Sequence, residues 1–108
     1  MPTWTDALPD HALGPDDLRP VEIDGHEIVL YRVDGEVFAT DNQCTHGTAQ
    51  LCEGFLLGHE IECPLHQGRF DVRTGQPTAE PACAPLRCWP VKVEGGRIWL
   101  QLRDTDAP

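Results

Sequence analysis

Cys44-Thr45-His46 and Cys63-Pro64-Leu65-His66 each place one cysteine and one histidine within four residues, and sixteen residues, Gly47 to Glu62, separate the two pairs. Two thiolates and two imidazoles suit one tetrahedral zinc, or a [2Fe–2S] cluster with cysteines on one iron and histidines on the other. Zinc would staple two loops together, whereas the cluster would carry one electron at a time. In each pair the cysteine comes first and the histidine two or three residues later. Half-sites that close on one cluster can therefore turn their thiols inward and their imidazoles toward the surface.

The residues around the pairs favour a tight, turn-rich site. Gly47 follows His46, and Gly68 follows His66-Gln67, where backbone must pass a metal without a Cβ in the way. Such backbone can aim amide N–H groups at bridging sulfides. Pro81-Ala82-Cys83-Ala84-Pro85 reads either as a cover on a third side of the site or as a proline-bounded surface loop. Cys52, Cys83 and Cys88 read as buried, inert thiols, and His11, His26 and His59 as surface or turn residues. Trp4, Trp89 and Trp99 are expected to pack. For Gln67 and Arg69, beside the second pair, partner contact and local salt-bridging or turn formation fit equally well.

The elements that must hold these loops are strands. Val21 and Ile23 precede Asp24-Gly25, the run Ile28–Val33 follows and ends at Asp34-Gly35, and Val37–Thr40 comes next. Asp-Gly between β-branched runs is a strong hairpin signal. Near the C-terminus, Val91-Lys92-Val93, the turn Gly95-Gly96, and Ile98, Leu100 and Leu102 on one face predict a second hairpin. Residues 54–62 read as a hairpin joining the two Cys/His pairs, and Phe70-Asp71-Val72 with Thr74-Gly75 as a strand and turn leaving the second. One short helix is predicted near Pro9–Leu13, ended by Gly14-Pro15. The expected architecture is one domain, 1–108, with a basal β part at about 1–40 and 91–108 and a cluster-binding part at about 41–90.

Composition bounds the partners. With 108 residues the chain is one domain long, and its formal charge of −10 repels phosphate backbones and anionic lipid, so neither nucleic acid nor membrane is an expected partner. The same field can steer the chain toward a basic protein face. No apolar run approaches a membrane span, and Met1–Asp10 lacks a signal-peptide pattern. Five cysteines is an odd number, and if Cys44 and Cys63 hold metal the other three cannot all pair within the chain. A reducing cytoplasm is the expected location.

The stretches Asp41-Asn42-Gln43-Cys44-Thr45-His46-Gly47 and Glu62-Cys63-Pro64-Leu65-His66-Gln67-Gly68-Arg69-Phe70-Asp71-Val72 resemble the Rieske ferredoxins of bacterial aromatic ring-hydroxylating dioxygenases. The likeness extends to the early hairpins, to Cys83-Ala84-Pro85 and to Pro90-Val91-Lys92-Val93. It implies an all-β fold, a small antiparallel β-sandwich or barrel of the Rieske iron–sulfur protein kind with an inserted cluster-binding lobe of loops and hairpin. It implies one [2Fe–2S] cluster, with Cys44 and Cys63 on the inner iron and His46 and His66 on the outer. It also implies a one-electron carrier, not catalytic alone, between an NAD(P)H-dependent flavoprotein ferredoxin reductase and a terminal Rieske non-heme iron oxygenase. The small Rieske-like subunit of nitrite reductases is the alternative within the family, and a structural Cys₂His₂ zinc module the alternative outside it.

Respiratory-chain Rieske proteins carry an extra cysteine in each cluster loop, joined as a disulfide. The corresponding places here are Ala49 and Leu65, so that bridge is absent. Those proteins also have hydroxyl donors near the cluster that raise its potential; serine is absent from this chain and no clear Ser or Tyr counterpart is found, which predicts a potential at the low end of the Rieske range, roughly −150 mV.

Overall fold

The computed structural model describes residues 4–44, 49–64, 67–80 and 84–102. Ten antiparallel strands form three sheets among them. Strands β1 (Trp4–Pro9), β10 (Arg97–Gln101) and β9 (Val91–Glu94) make one, in the order β1-β10-β9. Strands β2 (Leu18–Ile23), β3 (His26–Val33) and β4 (Glu36–Asp41) make the second in chain order. Strands β5 (Phe55–Leu57), β6 (Glu60–Glu62), β7 (Arg69–Asp71) and β8 (Pro77–Ala79) make the third.

Both Asp-Gly pairs turn as expected. Asp24 and Gly25 have φ of 53° and 82°, Asp34 and Gly35 of 53° and 81°, the double left-handed conformation of a two-residue hairpin turn. The short helix near Pro9–Leu13 is a single 3₁₀ turn, Asp10–Ala12, tied down by Arg32 through its salt bridge to Asp10 and its bond to the Leu13 carbonyl at 2.9 Å. Two strands were not evident in the sequence, β1 and β8. Trp4–Pro9 does not alternate cleanly and pairs with β10 across a bulge between Asp6 and Leu8. Pro77 opens β8, where a missing N–H is tolerated at a strand start.

Strand β3 is the spine. Its run Ile28–Tyr31 is fully buried on both faces, which is why it is continuously apolar. Period-two geometry splits it. Ile28 and Leu30 face a core with Leu8, Leu13, Ala39, Trp89, Ile98 and Leu100. Val29 and Tyr31 face a second core with Leu51, Ile61, Phe70, Val72 and Leu86, and that core contains Cys44 and Cys63. One strand thus fixes the cysteine core against the basal core.

Candidate metal centre

Cys44 and Cys63 are 1% and 0% exposed and belong to one packed core. Each opens a loop closed in the same way. The Cys44 N–H donates to the Ala49 carbonyl at 2.9 Å, and the Cys63 N–H to the Gly68 carbonyl at 2.7 Å, five residues on in both cases. His46 and His66 lie outside the described residues, as do Gly47, Leu65 and Cys83. Among the described residues no group of three or more His, Cys, Asp or Glu side chains gathers in a way that could hold a metal ion.

The first loop stands on a stem that the sequence did not reveal. Asn42 is buried, with its N–H on the Glu27 carbonyl at 3.0 Å and its own carbonyl accepting from the Leu51 N–H at 2.7 Å. Its side-chain Oδ1 accepts from the Cys52 N–H at 2.9 Å, and one rung up Gln43 bridges Gln50. Nothing in the sequence distinguishes this asparagine from a turn residue. Asn42→Leu keeps the volume but leaves the Cys52 N–H without its acceptor, and is expected to destabilise the holoprotein by about 2 kcal/mol in urea unfolding. Asn42→Asp keeps an oxygen in place and should lose clearly less; equal losses would show that the acceptor is irrelevant.

The second loop is held by close backbone packing. A Cβ on Gly54 would come 2.0 Å from the Glu62 carbonyl oxygen and 3.2 Å from Pro64 Cδ, so β5 starts pressed against the residues flanking Cys63. Among the described residues of this loop Gln67 is left-handed, at φ 63°, while Gly68 is buried and supplies the closing carbonyl. Arg69 Nε reaches Glu62 Oε1 at 3.1 Å and its Nη1 lies 3.7 Å from Glu60 Oε1, the local salt-bridging role expected as one of its two readings. Asp71 is held below the ordinary carboxylate range, chiefly by the paired bonds from Arg73.

A third segment closes over the same core. The Leu86 N–H donates to the Gly75 carbonyl at 2.7 Å, Asp41 N–H to Arg87 O at 2.9 Å, and Trp89 N–H to Ala39 O at 3.0 Å. Leu86 thereby enters the core that holds the two cysteines. Of the segment read as a possible cover, Pro81–Cys83 lie outside the described residues. The expectation of buried thiols is corrected for two of the other three cysteines, Cys83 lying outside the described residues: Cys52 is half-buried and Cys88 exposed, because both lie on segments along the rim of the core rather than within it. Desolvation, followed by the Asp41 and Asp71 carboxylates, pushes the Cys88 thiol up.

The model of the Rieske [2Fe–2S] domain matches residues 3–90. The chain belongs to the Rieske [2Fe–2S] domain family. Over 99 residues this Rieske domain is 48% identical to the ferredoxin component of the naphthalene 1,2-dioxygenase system of Pseudomonas aeruginosa, covering 92% of the chain and 95% of the relative. The ferredoxin of carbazole 1,9a-dioxygenase from Nocardioides aromaticivorans IC177 superposes with a TM-score of 0.90 at 39% identity, covering 94% of this chain and 99% of that one. A further ferredoxin, solved as oxidised protein in complex with the reduced oxygenase of carbazole 1,9a-dioxygenase, superposes with a TM-score of 0.87 at 37% identity, covering 91% and 92% of the two chains.

Two water-excluded thiols from two equivalent loops, with a histidine in each loop by sequence, match the donor chemistry of a Rieske-type [2Fe–2S] cluster. One hydroxyl sits within that core. Tyr31, the chain's one tyrosine, packs in the cysteine core and its Oη lies 2.9 Å from Thr40 Oγ1. Thr40 spends its proton on the Asp41 carbonyl at 2.9 Å. Tyr31 must therefore donate to Thr40, and burial pushes its phenol above the ordinary value. The phenol proton is thereby committed to Thr40.

Proposed function

We propose that this Rieske ferredoxin passes single electrons from an NAD(P)H-dependent flavoprotein reductase to the terminal oxygenase of an aromatic-ring dioxygenase system. The near-full-length 48% identity to a naphthalene dioxygenase ferredoxin component carries that reading over the nitrite reductase and zinc alternatives. In it, Cys44 and Cys63 hold the buried iron, and His46 and His66 hold the iron toward the surface. The bound cluster supplies a single reversible electron. The protein's own part is to exclude water around the two thiols and fix both loops through the Ala49 and Gly68 carbonyls. Among the described residues no helix is long and apolar enough to cross a membrane, and a cytoplasmic location is part of the proposal.

The test is spectroscopic. The purified protein should be coloured, bind two irons and two sulfides per chain, become EPR-active with dithionite, and titrate near roughly −150 mV. A colourless protein with one zinc per chain would overturn the cluster, and a midpoint above about +100 mV would overturn the low-potential assignment.

A further inference from the structure

Three large apolar side chains stand exposed among the described residues, and two share one three-residue strand: Phe55 at 60% and Leu57 at 46%. Their spacing puts both on the outer face of β5, while Leu56, between them, packs against the cysteine core. Strand β5 is the edge of its sheet, paired with β6 alone. Phe55 sits opposite Glu62 and Leu57 opposite Glu60, and these pair in turn with Arg69 and Asp71 on β7. The face therefore runs from an apolar row to a row of carboxylates. Exposed Glu53 extends the acidic border at the Phe55 end. Arg69 answers Glu60 and Glu62 and Arg73 answers Asp71, so this border of four carboxylates and two guanidinium groups keeps a negative excess.

The patch is rigidly placed. Gly54 locks the start of β5 against Glu62 and Pro64, the two neighbours of Cys63, so Phe55 cannot shift independently of the second cluster loop. An exposed aromatic–leucine pair on an edge strand is a liability unless something covers it. A second copy is disfavoured by the charge of −10 that each would bring.

We propose that Phe55 and Leu57 are the apolar anchor by which this protein docks on its terminal oxygenase, entering an apolar socket bordered by lysine or arginine. This rests on the reading that an oxygenase takes the electron. The carboxylate border steers the approach, and the two side chains, once desolvated, hold the complex with the Cys63 loop toward the partner.

The holoprotein variant Phe55→Thr/Leu57→Thr tests it, with threonine retaining strand preference. Reduced wild type and variant are titrated against the oxygenases of the naphthalene and carbazole systems, and reduction of each carrier by its flavoprotein reductase is timed separately. The expected result is an unchanged absorption spectrum, EPR signal and midpoint, an unchanged rate from the reductase, and a half-saturating concentration for the oxygenase raised about ten-fold. The single variant Leu57→Thr should show a smaller rise, which covers the case of a double variant that folds poorly. Wild-type half-saturation in a variant with an intact cluster overturns the anchor while leaving the carrier reading in place. A loss confined to the reductase step assigns the face to the donor, and a wild-type dimer dissolved by the variant assigns it to a second copy; either overturns the proposal. A wild-type protein that reduces neither oxygenase overturns the function itself.

Discussion

Cys44→Ser is expected to give a protein without its [2Fe–2S] cluster and with the loops around Cys44 and Cys63 unfolded. Serine presents an alkoxide precursor that stays protonated near neutral pH, whereas the cluster requires a thiolate. The loss is larger than one bond. Cys44 is 1% exposed within the core that also holds Cys63, Leu51, Ile61, Phe70, Val72 and Leu86, and three separate chain segments converge there. Metal binding in such sites contributes folding free energy, with structural zinc giving a scale of about 10 kcal/mol. That is comparable to the whole stability of a small domain, about 5–15 kcal/mol. Iron and sulfide analysis should fall from two of each per chain to near zero, with the visible absorption and the EPR signal lost together. Hydrogen exchange should accelerate at the Leu51, Cys52 and Leu86 amides, while β1, β9 and β10, packed in the other core, keep more of their protection. Cys52→Ser is the control, because Cys52 is half-buried and lies outside both Cys/His pairs. Retention of a full cluster by Cys44→Ser would remove Cys44 from the ligand set.

The division of the chain between two cores bears on what could be read in advance and what could not. The Asp24-Gly25 and Asp34-Gly35 turns were legible because an I′ turn needs two left-handed residues, and Asp-Gly states that requirement locally. The two Cys/His pairs were legible for a similar reason, since ligand chemistry narrows the residue types allowed. Strand β1 was not, because what makes Trp4–Pro9 a strand is its pairing with Arg97–Gln101 at the far end of the chain. The division of β3 between two cores was hidden in Ile28–Val33, where a run buried on both faces shows no alternation. Asn42 was invisible for a third reason. Its importance lies in reaching the Cys52 N–H ten residues away, and an asparagine that does so has the same letter as one facing water. Phe55 and Leu57 read simply as hairpin residues, since only the pairing of β5 with a single neighbour shows which of their faces is left uncovered.

Gly75→Ala is expected to be strongly destabilising while leaving every proposed ligand intact, at about 2–4 kcal/mol. Gly75 has φ of +80°, and an added Cβ would come 2.2 Å from the Leu86 carbonyl oxygen and 3.1 Å from Cys88 Sγ. The first contact is with backbone and cannot be relieved by a rotamer. The same glycine accepts from the Leu86 N–H at 2.7 Å and donates to the Asp71 carbonyl at 2.6 Å, so moving either chain breaks the clip that seats Leu86 in the cysteine core. Gly25→Ala separates the two causes. Gly25 has nearly the same φ, +82°, yet an added Cβ there meets nothing within 4 Å. It should cost only the left-handed strain, about 1 kcal/mol, and leave the cluster untouched. Urea unfolding of the two holoproteins gives the difference, and the excess for Gly75→Ala measures the contact with Leu86. If seating Leu86 also shields the cluster, Gly75→Ala should lose iron faster than wild type when incubated with a chelator, whereas Gly25→Ala should match wild type. Equal destabilisation by the two substitutions would mean that segment 86–88 yields freely, and that the cysteine core does not depend on being closed from that side.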